Sequence, residues 1–514
     1  MGANVSHYPP TPTDYPVFSL TIRTTDRIKI IDGNAAAIGI VRETLHKHYD
    51  ELSSMQSEIR AKPEVPYEAL YGRVSTGKLQ AETIGNDGGT SFKLSGNPFS
   101  KFSDTKLTVK TKNFFTQLMM ELYRNGWKLW LNSDLSQRYD FSTLFFRKCP
   151  PLTEKFTICC LSLSGADKFQ LINAPDKLYR VLLKCVGELM QSQSEHQNCK
   201  EIKMRGNSWN NVSCEQSNDA QMLLLKIFKS FRQHGFTYFG TVNLKGTADS
   251  IFFINESREL PPEDYCVISL NGNNRLRLIN CPTNLIDMTL EIVMDRWPEG
   301  LKTAIIDGNC AEYEMGGYPW EVMNRAEAVN SRIFITALLQ ESVKCGWAVL
   351  TSLDFSRKSD DKAVFIMRSC APMQIPHFCI TPSSEDRIRI IGADPAMRKT
   401  LLDLIRTCWT AGVQQESEDA HLCELKLSGT PWAGYAYSNA PALARILMAR
   451  LLTALEAHGW AVICSADVSA KYVNDEKNTA AYPCDVHSWF VAQSLSTAGP
   501  SSGDAPPSYK EALM

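Results

Sequence analysis

Asp-x-Ser triplets recur along the chain and are its clearest candidates for chemistry. Asp134, Asp354 and Asp467 each stand two residues before a serine, and Asn243 holds the equivalent position in a further copy. Use of these groups as acid or nucleophile would require a partner such as histidine at a fixed offset, and none recurs. Because Asp and Ser at strand ends commonly bond to backbone N–H groups, we interpret the triplets as structural.

Cysteine and histidine spacing predicts neither a metal site nor a cofactor site. The 16 cysteines are scattered singly or as the adjacent pair Cys159 and Cys160, without repeated C-x-x-C spacing. The sequence also lacks a phosphate-binding loop, a dinucleotide fingerprint, a His-Glu-x-x-His motif and a Gly-x-Ser-x-Gly nucleophile elbow. We therefore expect a protein that is not an enzyme and binds no cofactor. A hydrolase in which one repeat keeps an active site is retained as an alternative.

Strands with alternating basic residues open the repeated units and supply six candidate contacts for an anionic ligand. These are Arg27, Lys29, Arg275, Arg277, Arg387 and Arg389. Phospholipid heads or peptides would bind there only if the six side chains surround one concave surface. Charged residues on the outer side of a sheet more commonly face water and protect sheet edges from aggregation.

Two glycine-aromatic motifs recur four times and identify internal repeats. A Gly-x-Pro-Trp-like tetrad begins at Gly96, Gly206, Gly317 and Gly429, and a Gly-aromatic pair begins at Gly126, Gly235, Gly346 and Gly459. The separation between the two motifs is 29 or 30 residues in every copy. We interpret the glycines and prolines as turn residues and the aromatic rings as core residues, since aromatic side chains are mostly buried in cores.

Hydrophobic periodicity predicts an α+β fold made of four tandem repeats of a β-β-α-β-α-β-β module. The predicted repeats span residues 17–150, 151–258, 259–371 and 372–493, with disordered tails at 1–16 and 494–514. The first repeat is longer than the others, and its segment at about 61–89 is predicted to be an inserted, exposed loop. We expect the four modules to pack into an extended scaffold.

Charge and hydropathy argue against a nucleic-acid partner and against a membrane span. The 54 Lys and Arg residues nearly balance the 56 Asp and Glu residues, so no global field attracts nucleic acid. No apolar run is long enough to cross a bilayer, and the first residues lack the basic and apolar regions of a secretory signal. We therefore expect a cytoplasmic protein.

The N-terminal sequence MGANVS fits the pattern for N-myristoylation of Gly2 after removal of Met1. A single myristoyl chain binds a bilayer only marginally, with an association constant on the order of 10⁴ M⁻¹. No cysteine suited to palmitoylation and no polybasic run lies near Gly2. We expect a reversible, peripheral association with the membrane surface unless a second signal contributes.

The C-terminal segment carries a short motif for partner recruitment. After Ala492 the composition shifts to Ser, Gly, Ala and Pro, which is typical of a flexible tail. Within it, Pro506-Pro507-Ser508-Tyr509 resembles the Pro-Pro-x-Tyr ligand of WW domains. The prolines pre-set the polyproline II conformation, and the tyrosine supplies an aromatic anchor for the partner's groove. The resemblance implies WW-domain partners, among which HECT-type ubiquitin ligases are common.

Together these patterns predict a non-enzymatic adaptor or scaffold that is reversibly lipid-anchored and recruits WW-domain proteins. The alternative is a phospholipid- or peptide-binding repeat protein that uses the basic faces of its sheets.

Overall fold

The computed structural model describes residues 16–49, 79–84, 89–100, 102–137, 140–196, 198–206, 208–209, 214–244, 248–255, 260–321, 324–354, 362–433, 439–469, 472–474, 481–483 and 486–494. Most of the two predicted tails and most of the predicted inserted loop lie outside the described residues.

The first half of the chain forms two modules. Module 1 contains β1 (Val17–Arg23), β2 (Arg27–Ile31), α1 (Ala35–His48), β3 (Leu79–Ile84), β4 (Thr90–Leu94), α2 (Thr105–Arg124), β5 (Trp127–Ser133) and β6 (Asp140–Lys148). Module 2 contains β7 (Thr157–Ser164), β8 (Lys168–Ile172), α3 (Asp176–Val186), a 3₁₀ turn (Gly187–Leu189), β9 (Met190–His196), β10 (Cys199–Met204), α4 (Cys214–Gln233), β11 (Thr237–Val242) and β12 (Ser250–Asn255).

The second half repeats this order twice. Module 3 contains β13 (Tyr265–Asn271), β14 (Arg275–Ile279), α5 (Thr283–Arg296), β15 (Leu301–Asp307), β16 (Cys310–Met315), α6 (Arg325–Lys344), β17 (Trp347–Leu353) and β18 (Val364–Ser369). Module 4 contains β19 (His377–Ser383), β20 (Arg387–Ile391), α7 (Pro395–Cys408), β21 (Val413–Glu418), β22 (Leu422–Leu427), α8 (Ala440–Ala457), β23 (Trp460–Ala466), a small hairpin of β24 (Tyr472–Asn474) and β25 (Ala481–Pro483), and β26 (Ser488–Gln493).

Each module is built on one six-stranded antiparallel sheet with the same strand order. Counted within a module, that order is third, fourth, second, first, sixth and fifth strand, as in β15-β16-β14-β13-β18-β17. The third strand therefore forms one edge of the sheet and the fifth strand forms the other. The two helices of a module pack against each other. The predicted α+β class with four tandem repeats is confirmed.

Local sequence explains where the long second helices begin and end. Asp104 and Asn324 cap α2 and α6, because their side chains accept hydrogen bonds from the backbone N–H groups of Leu107 and Glu327. The glycine of each Gly-aromatic pair follows its helix with a positive φ, which is +82° at Gly126. Glycine adopts this left-handed conformation without the steric cost that a Cβ would bring.

The predicted order of elements within a module was wrong in one respect, since every module has one strand more. The correct order is β-β-α-β-β-α-β-β, and the additional strands are β3, β9, β15 and β21. These are edge strands whose side chains are mostly exposed on both faces, so sequences such as MQSQSEH in β9 and VQQESE in β21 show no apolar alternation. Period-two patterning arises from burial of one face and is absent without it. Strand β3 also occupies part of the segment predicted to be an inserted loop.

The second helix of every module lies between two sheets. Helices α2, α4 and α6 pack on the sheets of modules 2, 3 and 4, and α8 packs on β1 and β2 of module 1. Each apolar cluster accordingly joins one module's core to the next module's sheet, and Val17, Leu131 and Phe145 of module 1 belong to the cluster of module 4. The modules therefore close into a ring, and the expectation of an extended scaffold was wrong.

Burial on both sheet faces explains why the ring closes. The first strand of each module is buried along almost its whole length, on the face toward its own helices and on the opposite face. A strand that is buried on both faces must pack against other elements on both. Its own helices cover one face, and the second helix of the preceding module covers the other. For module 1 that cover is α8 of module 4. We call the contact between modules 4 and 1 the closing interface.

Candidate functional site

Two of the three Asp-x-Ser triplets bond to the backbone as predicted, and Ser356 of the third lies outside the described residues. The Oδ1 atoms of Asp134 and Asp467 accept hydrogen bonds from the N–H groups of Ser136 and Ser469, each at 3.1 Å. Burial raises the pKa of Asp134 well above its ordinary value, although the bond from Ser136 N–H acts in the opposite direction. An acid held in this way inside the protein stabilises the turn after its strand.

The same four positions also join neighbouring modules through hydrogen bonds that involve the backbone. The carbonyl groups of Asp134, Asp354 and Asp467 accept from the N–H groups of His487, Asp249 and Ala363 at 3.0, 3.0 and 2.9 Å. At the remaining junction, the N–H of Asn243 donates to the Ser142 hydroxyl at 3.0 Å. Each bond runs from the end of one module's fifth strand to the start of another module's sixth strand. The recurring Asp or Asn position therefore marks a junction of the ring.

The tetrad aromatics are core residues, as predicted. Phe99, Trp209, Trp320 and Trp432 are at most 1% exposed. The indole N–H groups of the three tryptophans donate to the backbone carbonyls of the second strands, at 2.8 to 3.0 Å. Each indole thereby links the tetrad turn to the sheet through a hydrogen bond, and its burial leaves no face exposed to a ligand.

The six basic candidates lie on the second strands of three different sheets, and in modules 3 and 4 both arginines contact one glutamate of the adjacent fourth strand. Arg277 and Arg275 contact Glu312 at 2.6 and 3.5 Å. Arg387 contacts Glu424 at 2.7 Å, and Arg389 pairs with the same carboxylate. In module 1, Arg27 lies 3.7 Å from Asp26, and Lys29 is paired across the sheet with Ser91.

The arginines around the glutamate on the fourth strand of module 4 favour its ionised form. Burial acts to raise the pKa of Glu424, but the hydrogen bond and charge of Arg389 more than offset that effect, and the pKa falls below its ordinary value. Lys168 and Glu201 form the corresponding pair in module 2 at 2.7 Å. The sequence analysis missed these glutamates, although Glu201, Glu312 and Glu424 recur five residues before the tetrad glycines of modules 2, 3 and 4.

A buried polar residue on each second helix is a further repeated feature that the sequence analysis missed. Lys112, Gln221, Arg332 and Arg445 occupy this position, and each is at most 5% exposed. All four stand 14 residues before the glycine of the Gly-aromatic pair, which is the signal that would have found them. They face the sheet of the next module, where Lys112 donates to Gln170 Oε1 at 2.8 Å and Arg332 donates to Ser488 Oγ at 3.1 Å.

The closing interface carries the most heavily charged of these contacts. Arg445 of α8 contacts Asp140 of β6 at 2.8 Å, and both side chains are at most 3% exposed. Arg23 approaches the other carboxylate oxygen at 3.6 Å. A second pair joins Arg450 to Asp32 at 3.3 Å. Charges buried in this way fix the alignment of two packed surfaces, because any shift leaves a charge without its partner.

The two ends of the described chain leave the ring at this same interface. The carbonyl of Pro16 accepts a hydrogen bond from Lys148 N–H at 2.7 Å, and the Ser494 N–H donates to the Gly459 carbonyl at 2.7 Å. Between them, the Arg147 guanidinium contacts the Glu456 carboxylate at 2.7 Å. A short series of contacts therefore links Pro16 to Ser494. We call these two residues the chain exits.

The remaining predicted site residues lie beyond the chain exits. Gly2, Pro506, Pro507 and Tyr509 are outside the described residues. In the described ranges, no group of three or more His, Cys, Asp or Glu side chains is arranged to hold a metal ion. None of the helices described is both long and apolar enough to cross a bilayer.

Comparison with known proteins bears on the repeats. No curated protein matches the sequence. One domain model matches the chain four times, at residues 16–147, 157–254, 264–368 and 376–491, and these matches follow the four sheets. The chain therefore belongs to the protein family that this repeat domain defines, and it carries the domain in four tandem copies.

Proposed function

We propose that the protein is a non-enzymatic adaptor that is myristoylated at Gly2 and recruits WW-domain proteins through Pro506, Pro507 and Tyr509. The ring is its rigid body. The lipid gives a reversible hold on a membrane surface, and the C-terminal motif brings a partner such as a HECT-type ubiquitin ligase to that surface.

The observation that carries this proposal is the proximity of the two chain exits at the closing interface. Pro16 lies 14 positions after Gly2, and Pro506 lies 12 positions after Ser494. For the flexible tails that the sequence predicts, this length corresponds to a root-mean-square reach of about 20 Å. A lipid on one end would therefore hold the recruitment motif of the other end close to the same membrane.

The assignment of every recurring polar position to folding supports a non-catalytic role. The Asp-x-Ser triplets cap turns and join modules, and the tetrad aromatics hold turns to sheets. An adaptor needs only a stable body between its two attachment points.

Basic residues beside the N-terminal exit support membrane association. Lys128 and Arg147 are directly opposite each other on β5 and β6, and Lys148 follows. Like charges in opposite positions cost stability, and the equivalent pair in module 4 is Ala461 and Ala492. A basic residue near an anionic surface contributes about 1 kcal/mol, which would supplement a myristoyl chain. Arg147 contacts Glu456 and Lys128 lies over the Tyr123 ring, so both contribute less than an isolated charge.

Acylation is tested by co-expressing the full chain with N-myristoyltransferase and measuring the mass of its N-terminal peptide. We expect a myristoyl adduct on Gly2 and flotation with vesicles that contain phosphatidylserine. Gly2→Ala should lose the adduct and most of the flotation. An unmodified or acetylated terminus in the wild type would end the membrane part of the proposal.

Recruitment is tested by pull-down with a panel of purified WW domains. Tyr509→Ala should abolish capture because it removes the aromatic anchor, whereas Ser508→Ala, at the variable position of the motif, should leave capture intact. Phosphorylation of Tyr509 should also block capture, since a charged group would have to enter an apolar groove. Equal recovery of wild type and Tyr509→Ala would refute this part of the proposal.

A further inference from the structure

The outer edge of β15 differs from the other three sheet edges on the rim of the ring. β15 ends the sheet of module 3, and no strand of the described chain pairs with its outer side. Ile305 and Ile306 lie on it at 64% and 51% exposed. Exposed aliphatic edge strands present unpaired backbone groups next to apolar side chains, and this combination favours pairing with another strand.

In the other modules, a side chain of the third strand is tied to the first helix at one repeated position. Glu82, Gln193 and Glu416 occupy that position, each opposite a buried apolar residue of the fourth strand. Glu82 contacts Arg42 at 2.6 Å. Gln193 accepts from the Tyr179 hydroxyl at 2.9 Å, and Glu416 contacts Arg406 at 2.5 Å. Each of these three strands therefore carries a polar pair with the first helix, and β3 has a single exposed isoleucine, Ile84, where β15 has two.

Module 3 replaces this pair with apolar residues on both elements. Ala304 takes the place of Glu416, opposite buried Tyr313. Met294 takes the place of Arg406 on the helix and is 62% exposed. Ala304 and Met294 are therefore apolar at the two positions where module 4 has an ion pair, and Ile306 lies on the same face of β15 as Ala304.

We propose that β15 pairs in antiparallel orientation with β15 of a second copy of this chain. Two-fold self-pairing places one residue opposite itself, and the register that suits this strand is centred on Ile305. Ala304 then lies opposite the second copy's Ile306, so small and large side chains alternate. The charged residues Lys302 and Asp307 fall outside this apolar centre.

The charge pattern of β15 is compatible with a second copy of the strand, whereas that of β21 is not. Self-pairing of β21 in the same register would place Glu416 opposite Glu418 twice, and like charges in opposite positions are destabilising. β15 has one Lys and one Asp, so no like charges oppose each other in this register. Within the described residues this apolar edge occurs once in each chain, and two-fold pairing occupies it in both copies, so the pairing closes as a dimer with a twelve-stranded sheet.

The first test is the mass of the full chain in solution, measured by light scattering and sedimentation velocity over a dilution series. We expect twice the monomer mass for the wild type and the monomer mass for Ile305→Lys, because a lysine on an edge strand blocks pairing. Ser417→Lys, at the matched position of β21, should remain dimeric. A monomeric wild type, or a dimeric Ile305→Lys variant, would overturn the proposal.

A cross-linking variant covers the case in which lysine merely disturbs folding. Opposite Cα atoms in an antiparallel pair lie about 4.5 to 5.5 Å apart, within reach of a disulfide. Ile305→Cys should therefore yield a covalent dimer under mild oxidation, while the wild type and Ser417→Cys should not. Absence of that covalent dimer would contradict the register even if the wild type dimerises.

Discussion

Arg445 shows why buried charge matters to this molecule at the level of single residues. Its partner Asp140 lies in module 1, 305 positions away along the chain. Burial raises the pKa of Asp140, and the nearby Arg445 and Arg23 lower it, so the ionised state depends on the closing interface. Breaking a buried pair costs far more than breaking an exposed one, because one charge is left in a poorly solvating environment.

Arg445→Leu should lower the free energy of unfolding by about 3 to 5 kcal/mol, the range for removing one partner of a buried pair. Adding Asp140→Leu should recover a large part of that loss. Urea titration followed by tryptophan fluorescence provides the measurement, since Trp489 lies at the same interface. As a control, Arg406→Leu breaks the exposed pair with Glu416 and should change stability little. Similar losses in the two single variants would contradict the prediction.

Asp249 predicts a pH dependence of stability. Burial raises the pKa of this carboxyl to about 7, against the lowering effect of the bond from Asp354 N–H. In the unfolded chain the carboxyl of Asp249 titrates at about 4. The stability that its protonated form contributes is therefore fully present below that pH and is lost as the pH rises to about 7. Asp249→Asn cannot ionise and can still accept the bond from Asp354.

The Asp249→Asn variant should therefore be more stable than wild type at pH 8, by on the order of a few kcal/mol, with the difference vanishing toward pH 4. Urea titrations of both proteins at several pH values measure this. A difference that does not change with pH would rule out titration of Asp249 as its cause.

At the scale of secondary-structure elements, glycines after the second helices decide how each helix turns into its fifth strand. Gly126 and Gly459 both have positive φ, +82° and +74°. A Cβ on Gly126 would lie 2.7 Å from the carbonyl oxygen of Cys149, whereas a Cβ on Gly459 meets no atom within 4 Å. The two positions thus share the same backbone cost and differ in the space available.

Gly459→Ala should destabilise the protein by roughly 1 to 2 kcal/mol, the cost of a left-handed non-glycine residue. Gly126→Ala should cost more, because Cys149 or its strand must move as well. Thermal unfolding of the two variants beside wild type measures the difference. Equal shifts would mean that the contact with Cys149 relaxes without cost.

At the scale of the whole molecule, the closed ring predicts that folding requires all four modules. It depends much less on the point in the ring at which the chain begins and ends. The chain exits meet at the closing interface, and residues 255 and 260 bracket the link between modules 2 and 3. A circular permutant that joins the old ends and opens at this link keeps every interface. Removal of residues 376–494 deletes module 4 and uncovers apolar surface on modules 1 and 3.

We expect the permutant to show the circular dichroism spectrum of the wild type and a similar unfolding midpoint. The truncated chain should aggregate or unfold at a much lower temperature, although it keeps three intact repeats. A permutant that fails to fold while the truncated chain stays soluble and folded would show that the modules are independent of the ring.

The sequence by itself determined the number of modules, the α+β class and the structural role of the tetrads and Asp-x-Ser triplets. Glycines such as Gly126 and aromatics such as Trp320 form turns and core contacts within their own module. Their spacing in the sequence is therefore enough to predict their role. Strand β21 was not predicted because both of its faces are exposed. Its sequence therefore lacks the alternation of apolar and polar residues that burial of one face produces.

Only the tertiary structure decided the closed ring, the pairing of Arg389 with Glu424 and the burial of Arg445 against Asp140. In the sequence, Arg445 looks like a solvent-facing residue of an amphipathic helix. Whether a charged side chain meets water or a carboxylate depends on the module that packs over it. That information lies in contacts between residues hundreds of positions apart, which no local pattern contains.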